Sequence, residues 1–190
     1  MKLAGLLLAA GAGRRFGSPK ALVRDPSGVS WVVRTARVLT ASGCSPVLVV
    51  VGASADEVRA ELTGEPVEVI EATNWDEGMG ASLRAGLMVV HDAEAVVVVP
   101  VDVPGLTVEA VRRVAADRSG LARAVYGGQP GHPVLLGREH WTGVLASAHG
   151  DEGARPYLKQ HQAIEIECGD LADGSDVDTV DQLPDGHRGR

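Results

Sequence analysis

The residues best suited to chemistry lie near the amino end, in the segment Leu8-Ala9-Ala10-Gly11-Ala12-Gly13-Arg14-Arg15-Phe16-Gly17-Ser18-Pro19-Lys20. Gly11, Gly13 and Gly17 follow a short apolar run, so successive backbone N–H groups can converge on an anion where a strand ends, without side-chain bulk. Arg14, Arg15 and Lys20 add positive charge to the same turn, and Arg24 follows. The chemistry favoured is the grip of an ionised phosphate. Far along the chain, Asp102 stands just beyond the apolar run Ala95 to Val99, and Asp176 and Asp178 alternate near the carboxyl end. Carboxylates so placed suit magnesium, which takes one or two of them together with phosphate oxygens and water.

Two common glycine motifs do not fit the loop. A dinucleotide fingerprint starting at Gly11 and Gly13 would need a third glycine where Phe16 stands, and the acidic residue expected about 20 positions onward at a strand end is missing. That argues against an NAD-dependent dehydrogenase. The phosphate loop GxxxxGK[ST] fails because Lys20 follows Pro19. The loop is longer than either motif and more basic than a dinucleotide pyrophosphate requires, so a triphosphate matches it better. Asp102 could also serve as a turn residue between Pro100 and Pro104, but the carboxyl end of a buried strand is where open α/β sheets bind ligands. Asp176 and Asp178 would share one face of an extended segment, so either can supply a second carboxylate.

Positioning these groups requires an alternation of strands and helices, and the apolar pattern supplies it. Strands are expected over about residues 3–9, 46–51, 67–71, 95–99, 122–126, 133–136 and 164–167. Helices are expected from about Ser30 to Ser42, from a cap at Ser54 through Leu62, up to about Val90, from a cap at Thr107 to about Arg118, from Arg138, and briefly after the polar stretch Gly150 to Gly153. The β-branched run Ala95 to Val99 reads as a strand covered on both faces. The fold class is α/β: a three-layer αβα, Rossmann-like sandwich around a mainly parallel sheet. A chain of 190 residues makes one domain, 1–190, with a nucleotide-binding part to about residue 120 and an acceptor-side lobe beyond it.

The net charge of −7 speaks against a nucleic-acid or anionic-membrane partner, either of which calls for a broad basic footprint. No apolar run approaches the roughly 20 residues that cross a bilayer. The apolar start is read as a buried first strand rather than a signal peptide, because Arg14 and Arg15 follow it inside a glycine loop. Cys44 and Cys168 lie far apart in no metal-ligand spacing, which points to a reducing, cytoplasmic setting.

The segment LAAGAGRRFGSPK resembles the signature LxxGxxxRxGxxK of the MobA-like NTP transferases, with Leu8, Gly11, Arg15, Gly17 and Lys20 on it. NWDEGMGASLRAGL from Asn74, the strand end at Asp102, GGQPGHPVLLGR from Gly127, GDEGAR from Gly150 and DVDT from Asp176 are together similar to the molybdenum-cofactor cytidylyltransferase branch. The resemblance implies the nucleotide-diphospho-sugar transferase fold and transfer of CMP from CTP to a molybdopterin-type phosphate, with Mg2+ as cofactor and pyrophosphate as product. It implies that Arg15 binds the β- and γ-phosphates, that Lys20 bridges the α-phosphate and the incoming phosphate, and that Asp102 and Asp178 hold the metal. Residues Leu8 to Gly13, together with Gly78, Gly80 and Ser82, would contact the nucleotide, although Ser82 reads equally as a helix cap. Ala10 matches the LAAG form of cytidylyltransferases, where a methyl shrinks the base pocket. His132 and Arg155 are acceptor-side candidates, with Asp151 equally ambiguous. A transient contact with a molybdoenzyme or its insertion chaperone would follow. Asp102-Val103-Pro104 and Val180 depart from the family's usual residues, which leaves sugar phosphates and other phosphorylated small molecules open as acceptors. A nucleotide-binding or cofactor-insertion protein without turnover is the rival from another class.

Overall fold

The computed structural model describes residues 2–189. Its centre is three strands, β1 (Leu3–Ala9), β2 (Val47–Val51) and β4 (Ala95–Pro100), in which Leu3 alone is not buried. Apolar residues occur at successive positions because helices cover both faces. On one face Leu7, Val49, Val97 and Val99 meet α1 (Trp31–Ala41) and α4 (Val108–Ala115). On the other Leu6, Leu8, Val50 and Val98 meet α3 (Met79–Val89), α5 (Arg138–Ser147) and α6 (Arg155–Gln160). The expected three-layer αβα sandwich is what forms.

The seven strands lie in the order β3-β2-β1-β4-β6-β5-β7, with β3 at Glu68–Glu71, β5 at Leu121–Tyr126, β6 at Gln129–Gly137 and β7 at Ile164–Glu167. Neighbours are parallel except around β6, which runs antiparallel to both β4 and β5. From β1 the chain steps outward to β2 and β3, then returns to place β4 on the other side. That reversal opens a crevice beyond the carboxyl ends of β1 and β4, the place where sheets of this kind bind ligands. Among the described residues no helix is long and apolar enough to cross a membrane.

Three local expectations are revised. Ser54 has a left-handed φ of 55° and its side chain makes no capping bond, so α2 (Ala55–Glu61) starts uncapped. Thr107 does cap α4, its Oγ1 accepting from Ala110 N at 3.2 Å, but the helix stops at Ala115. There the Asp117 carboxylate takes hydrogen bonds from Ser119 N and Oγ and turns the chain. The loop expected over residues 127–132 shrinks to a two-residue hairpin turn, since Tyr126 already pairs with Gln129. The Tyr126 hydroxyl, pushed up to about 12 by burial, donates to His132 O at 2.6 Å and ties the two strands together.

Candidate functional site

The loop after β1 leaves the sheet with Ala10 buried and its carbonyl accepting from Ala53 N at 2.9 Å, which pins the exit to the end of β2. Gly13 has a φ of 62°, and a Cβ there would collide with the Ser18 carbonyl oxygen, so only glycine lets the loop fold back on itself. Gly17 N then donates to Gly13 O at 2.7 Å. Phe16, the residue that breaks the dinucleotide motif, is 4% exposed and anchors the loop in the core. Lys20 opens a single 3-10 turn whose next residues, Ala21 and Leu22, are buried, and Lys20 itself lines the cleft. Arg14 and Arg15 are exposed at the cleft mouth.

Acidic and basic residues from three widely separated parts of the chain meet here. Lys20 Nζ donates to Asp102 Oδ2 at 2.9 Å and to Asp178 Oδ1 at 3.2 Å, and Arg15 Nη2 reaches the same Asp178 oxygen at 3.2 Å. Asp102 follows β4, where Val101 N donates to Leu8 O at 3.0 Å; Val177 N donates to Asp102 O at 2.9 Å. Buried Val177 thereby tethers the late segment to the strand end and turns Asp178 toward Lys20. Asp176 is exposed and does not share this contact.

The two carboxylate oxygens both approach one ammonium, so they are no more than about 6 Å apart. Two like charges that close favour a cation between them. Among the described residues no group of three or more His, Cys, Asp or Glu side chains forms a metal site. A pair of hard oxygens fits magnesium, which completes its octahedron with phosphate oxygens and water rather than needing an all-protein cage. In chemical terms the donors present suit the metal.

The cleft has a volume of about 370 Å3 and extends from this charged corner past Leu8, Ala10, Gly11, Ala12 and Gly13 to Trp75, Glu77, Gly78, Met79 and Ser82. Gly78, Gly80 and Ser82, expected at the nucleotide, lie at and within the start of α3, which begins at Met79. Gly78 has a φ of 107°, and a Cβ there would stand 2.6 Å from both the Gly150 carbonyl carbon and Asp151 Oδ1. A Cβ at Gly80 would stand 2.8 Å from the Ala148 carbonyl carbon. Both glycines therefore let the start of α3 dock on residues 148–151 of the protein itself. Arg84 reinforces that contact by donating to Ala148 O and pairing with Glu77 at 3.2 Å. Ser82 is buried inside the helix beside the cleft, so it is not a cap. Trp75 and Asp76 also line the cleft and were not foreseen. A rare aromatic beside polar turn residues, just after a parallel strand, was the available signal for Trp75.

His132 lies near the start of β6, beside the end of β4, where Val98 pairs with Val134. Burial pushes its imidazole below the ordinary histidine range; Asp102 and Asp176 act in the opposite sense, and Arg155 adds to the depression. Asp102, Asp176 and Arg155 each lie within electrostatic range of His132. Arg155 is exposed at the first position of α6 and has no acidic partner among the described residues. The structure thus assembles Arg15, Lys20, Asp102 and Asp178 through shared ion pairs, whereas His132 and Arg155 are not among the residues that line the cleft.

A family model described as the MobA-like NTP transferase domain matches residues 5–164. Nicotine blue oxidoreductase from Paenarthrobacter nicotinovorans is 37% identical over 191 residues, covering 94% of this chain and 93% of the relative. Molybdenum cofactor guanylyltransferase from Rhodobacter capsulatus is 36% identical over 149 residues, covering 76% and 68%. The crystal structure of Rv0371c from Mycobacterium tuberculosis H37Rv superposes with a TM-score of 0.79 at 27% identity, covering 95% of each chain. A second structure of that protein is a complex with manganese, with a TM-score of 0.70, 26% identity and 88% of each chain covered. The sheet and its helices are those of the nucleotide-diphospho-sugar transferase fold, as expected.

Proposed function

Because the chain belongs to the MobA-like NTP transferase family, we propose that it transfers a nucleoside monophosphate, CMP from CTP, to a phosphorylated acceptor of the molybdopterin type and releases pyrophosphate. The observation that carries this reading is the Lys20 ammonium held between Asp102 and Asp178 at the crevice beyond β1 and β4. In the transfer, an oxygen of the acceptor phosphate attacks the α-phosphorus in line. The bond from that phosphorus to the bridging oxygen breaks, and its electron pair leaves with pyrophosphate. The attacking phosphate is already ionised near neutral pH, so no protein base has to remove a proton.

The chain's own task is positioning and charge. Backbone N–H groups of the Gly11 to Gly13 turn and the Arg15 guanidinium take the β- and γ-phosphates. Lys20 leaves its carboxylates to bridge the α-phosphate and the incoming phosphate, where negative charge is redistributed. Asp102 and Asp178 would hold Mg2+, which supplies Lewis-acid neutralisation of the phosphates. His132, whose imidazole burial pushes below the ordinary histidine range, and Arg155 are the acceptor-side candidates, with Arg155 suited to the acceptor's phosphate. Ala10, Gly78 and Ser82, which line the cleft, would border the base, with Gly80 docking the start of α3 behind them.

For the base, the buried Ala10 methyl favours a pyrimidine, whereas the guanylyltransferase relative favours GTP. A sugar phosphate acceptor would use the same chemistry. The oxidoreductase relative favours a second reading, in which the cleft hosts an electron transfer. The paired carboxylates around Lys20 support phosphoryl chemistry over that alternative.

The deciding experiment incubates the protein with Mg2+, each of the four triphosphates and molybdopterin or sugar-phosphate acceptors, and measures pyrophosphate. Acceptor-dependent release with CTP is expected. Release with GTP alone would reassign the base. Tight triphosphate binding with no release from any acceptor would identify a binding protein, and reductant-dependent turnover of nicotine blue without release would establish the oxidoreductase reading.

A further inference from the structure

The segments carrying Lys20 and Asp178 are fastened together a second time, away from the cleft. Four residues after Lys20, Arg24 pairs antiparallel with Arg188, each N–H donating to the other's carbonyl at 2.9 Å. Beside this pair, Trp31 is 1% exposed and its indole Nε1 donates to His187 Nδ1 at 2.9 Å, with the rings edge-on at 5.7 Å. Trp31 N also donates to Val23 O at 2.8 Å, so the residue that holds His187 also holds the strand of loop leading from Lys20. A Cβ at Gly189 would stand 3.6 Å from the ring of Phe16, the anchor of the phosphate loop.

Between Asp178 and His187 the chain is a succession of fixed turns. Gln182 Oε1 accepts from Asp178 N at 2.7 Å and from Thr179 N at 2.9 Å. Leu183 N donates to Val180 O at 3.1 Å, and His187 N to Pro184 O at 3.0 Å. Movement at His187 therefore has little slack to absorb it before it reaches Asp178.

We propose that the Trp31–His187 bond and the Arg24–Arg188 pair form a latch that sets the spacing of the phosphate loop against Asp178, making His187 a positioning residue for divalent-cation binding. The metal part of this inference rests on the role proposed above for Asp178; the positioning part rests on the contacts alone. His187 acts through its unprotonated Nδ1, and without it a buried indole N–H is left without a partner.

Three variants of the full chain test it: His187→Ala, His187→Gln, whose amide oxygen can still accept, and Trp31→Phe, which removes the donor together with part of a buried ring. Amide hydrogen exchange reads positioning without any ligand. His187→Ala is expected to speed exchange at Gly17 N and across residues 177–182, with His187→Gln close to wild type. Calorimetry with Mn2+ and a methylene-bridged CTP analogue reads the site. His187→Ala should weaken binding by about two- to tenfold, the range of one lost hydrogen bond. In the Trp31→Phe background His187→Ala should add little, because the two side chains act as one unit. Faster exchange confined to residues 184–189 would overturn the latch. Wild-type protein that binds neither metal nor nucleotide would overturn the nucleotidyl-transfer reading and leave the exchange result to judge the latch by itself.

Discussion

Replacing Lys20 by methionine, which keeps length but removes charge, should have two opposite effects. The ammonium lies about 3 Å from one oxygen of each carboxylate. Each such pair is worth about 1.4 kcal/mol with bulk-water screening and about 5.5 kcal/mol at an effective dielectric of 20. The side chains of Lys20, Asp102 and Asp178 are 14%, 20% and 36% exposed, so the pairs lie between these limits and desolvation offsets much of the larger figure. A net loss of about 1–2 kcal/mol of competing cation is reasonable. In the absence of nucleotide, Mn2+ should then bind Lys20→Met about 5- to 30-fold more tightly than wild type, since the metal no longer displaces an ammonium. Turnover should move the other way, falling at least about 10²–10³-fold, the effect of deleting one preorganised charge-stabilising donor. Titration calorimetry with Mn2+ alone and pyrophosphate release with CTP and acceptor measure the two arms. Metal affinity that is unchanged or weaker would refute the shared-carboxylate reasoning, and undiminished turnover would remove Lys20 from the chemistry.

Asp102→Asn is expected to cut metal-dependent turnover by about 10²-fold or more with the far-ultraviolet dichroism unchanged; recovery of full activity at ordinary Mg2+ would show that Asp102 is not a ligand. Gly13→Ala must move the loop off Ser18, so the Michaelis constant for the triphosphate should rise about tenfold or more and stability should fall by about 1–3 kcal/mol, which steady-state kinetics and denaturant titration measure; unchanged values of both would refute the clash. Burial, the largest influence, lowers His187 below the ordinary histidine value, with Asp25 opposing and Arg34 assisting. The neutral ring is therefore favoured in the fold, and its contribution to stability is complete above about pH 6.5 and is lost as pH falls through the depressed value. Denaturant titrations from pH 7.5 to 5 should show a fall in stability that is shallower in His187→Gln, the remainder including His132, which burial also depresses; identical slopes in both proteins would contradict it.

The central sheet was legible because β1, β2 and β4 are apolar at nearly every position, a pattern that needs helices on both sides and so announces the layers as well as the strands. The cation loop was legible for a similar reason: glycines and basic residues cluster locally, and their spacing survives folding. Ser54 was misread because an N-cap depends on backbone angles that serine does not dictate. Gly78 and Gly80 suggested room for a ligand, yet what approaches them is the chain at Ala148 to Asp151, some 70 residues away in a one-dimensional record that carries no sign of the encounter. The choice between Asp176 and Asp178 was open on period alone. Asp178 is the one that reaches Lys20, held there by the tether from Val177 N to Asp102 O, a backbone bond that no side chain advertises.

The contact between Lys20 and Asp178 spans 158 positions, and that between Lys20 and Asp102 spans 82. Bringing together residues so remote in sequence costs the entropy of closing the intervening chain. A molecule whose last segment has come away would keep Asp102 beside Lys20 but lose Asp178. On the function proposed above, such a species would lack one of the two carboxylates offered to the metal. Competence for the proposed chemistry would then depend on the last segment being docked.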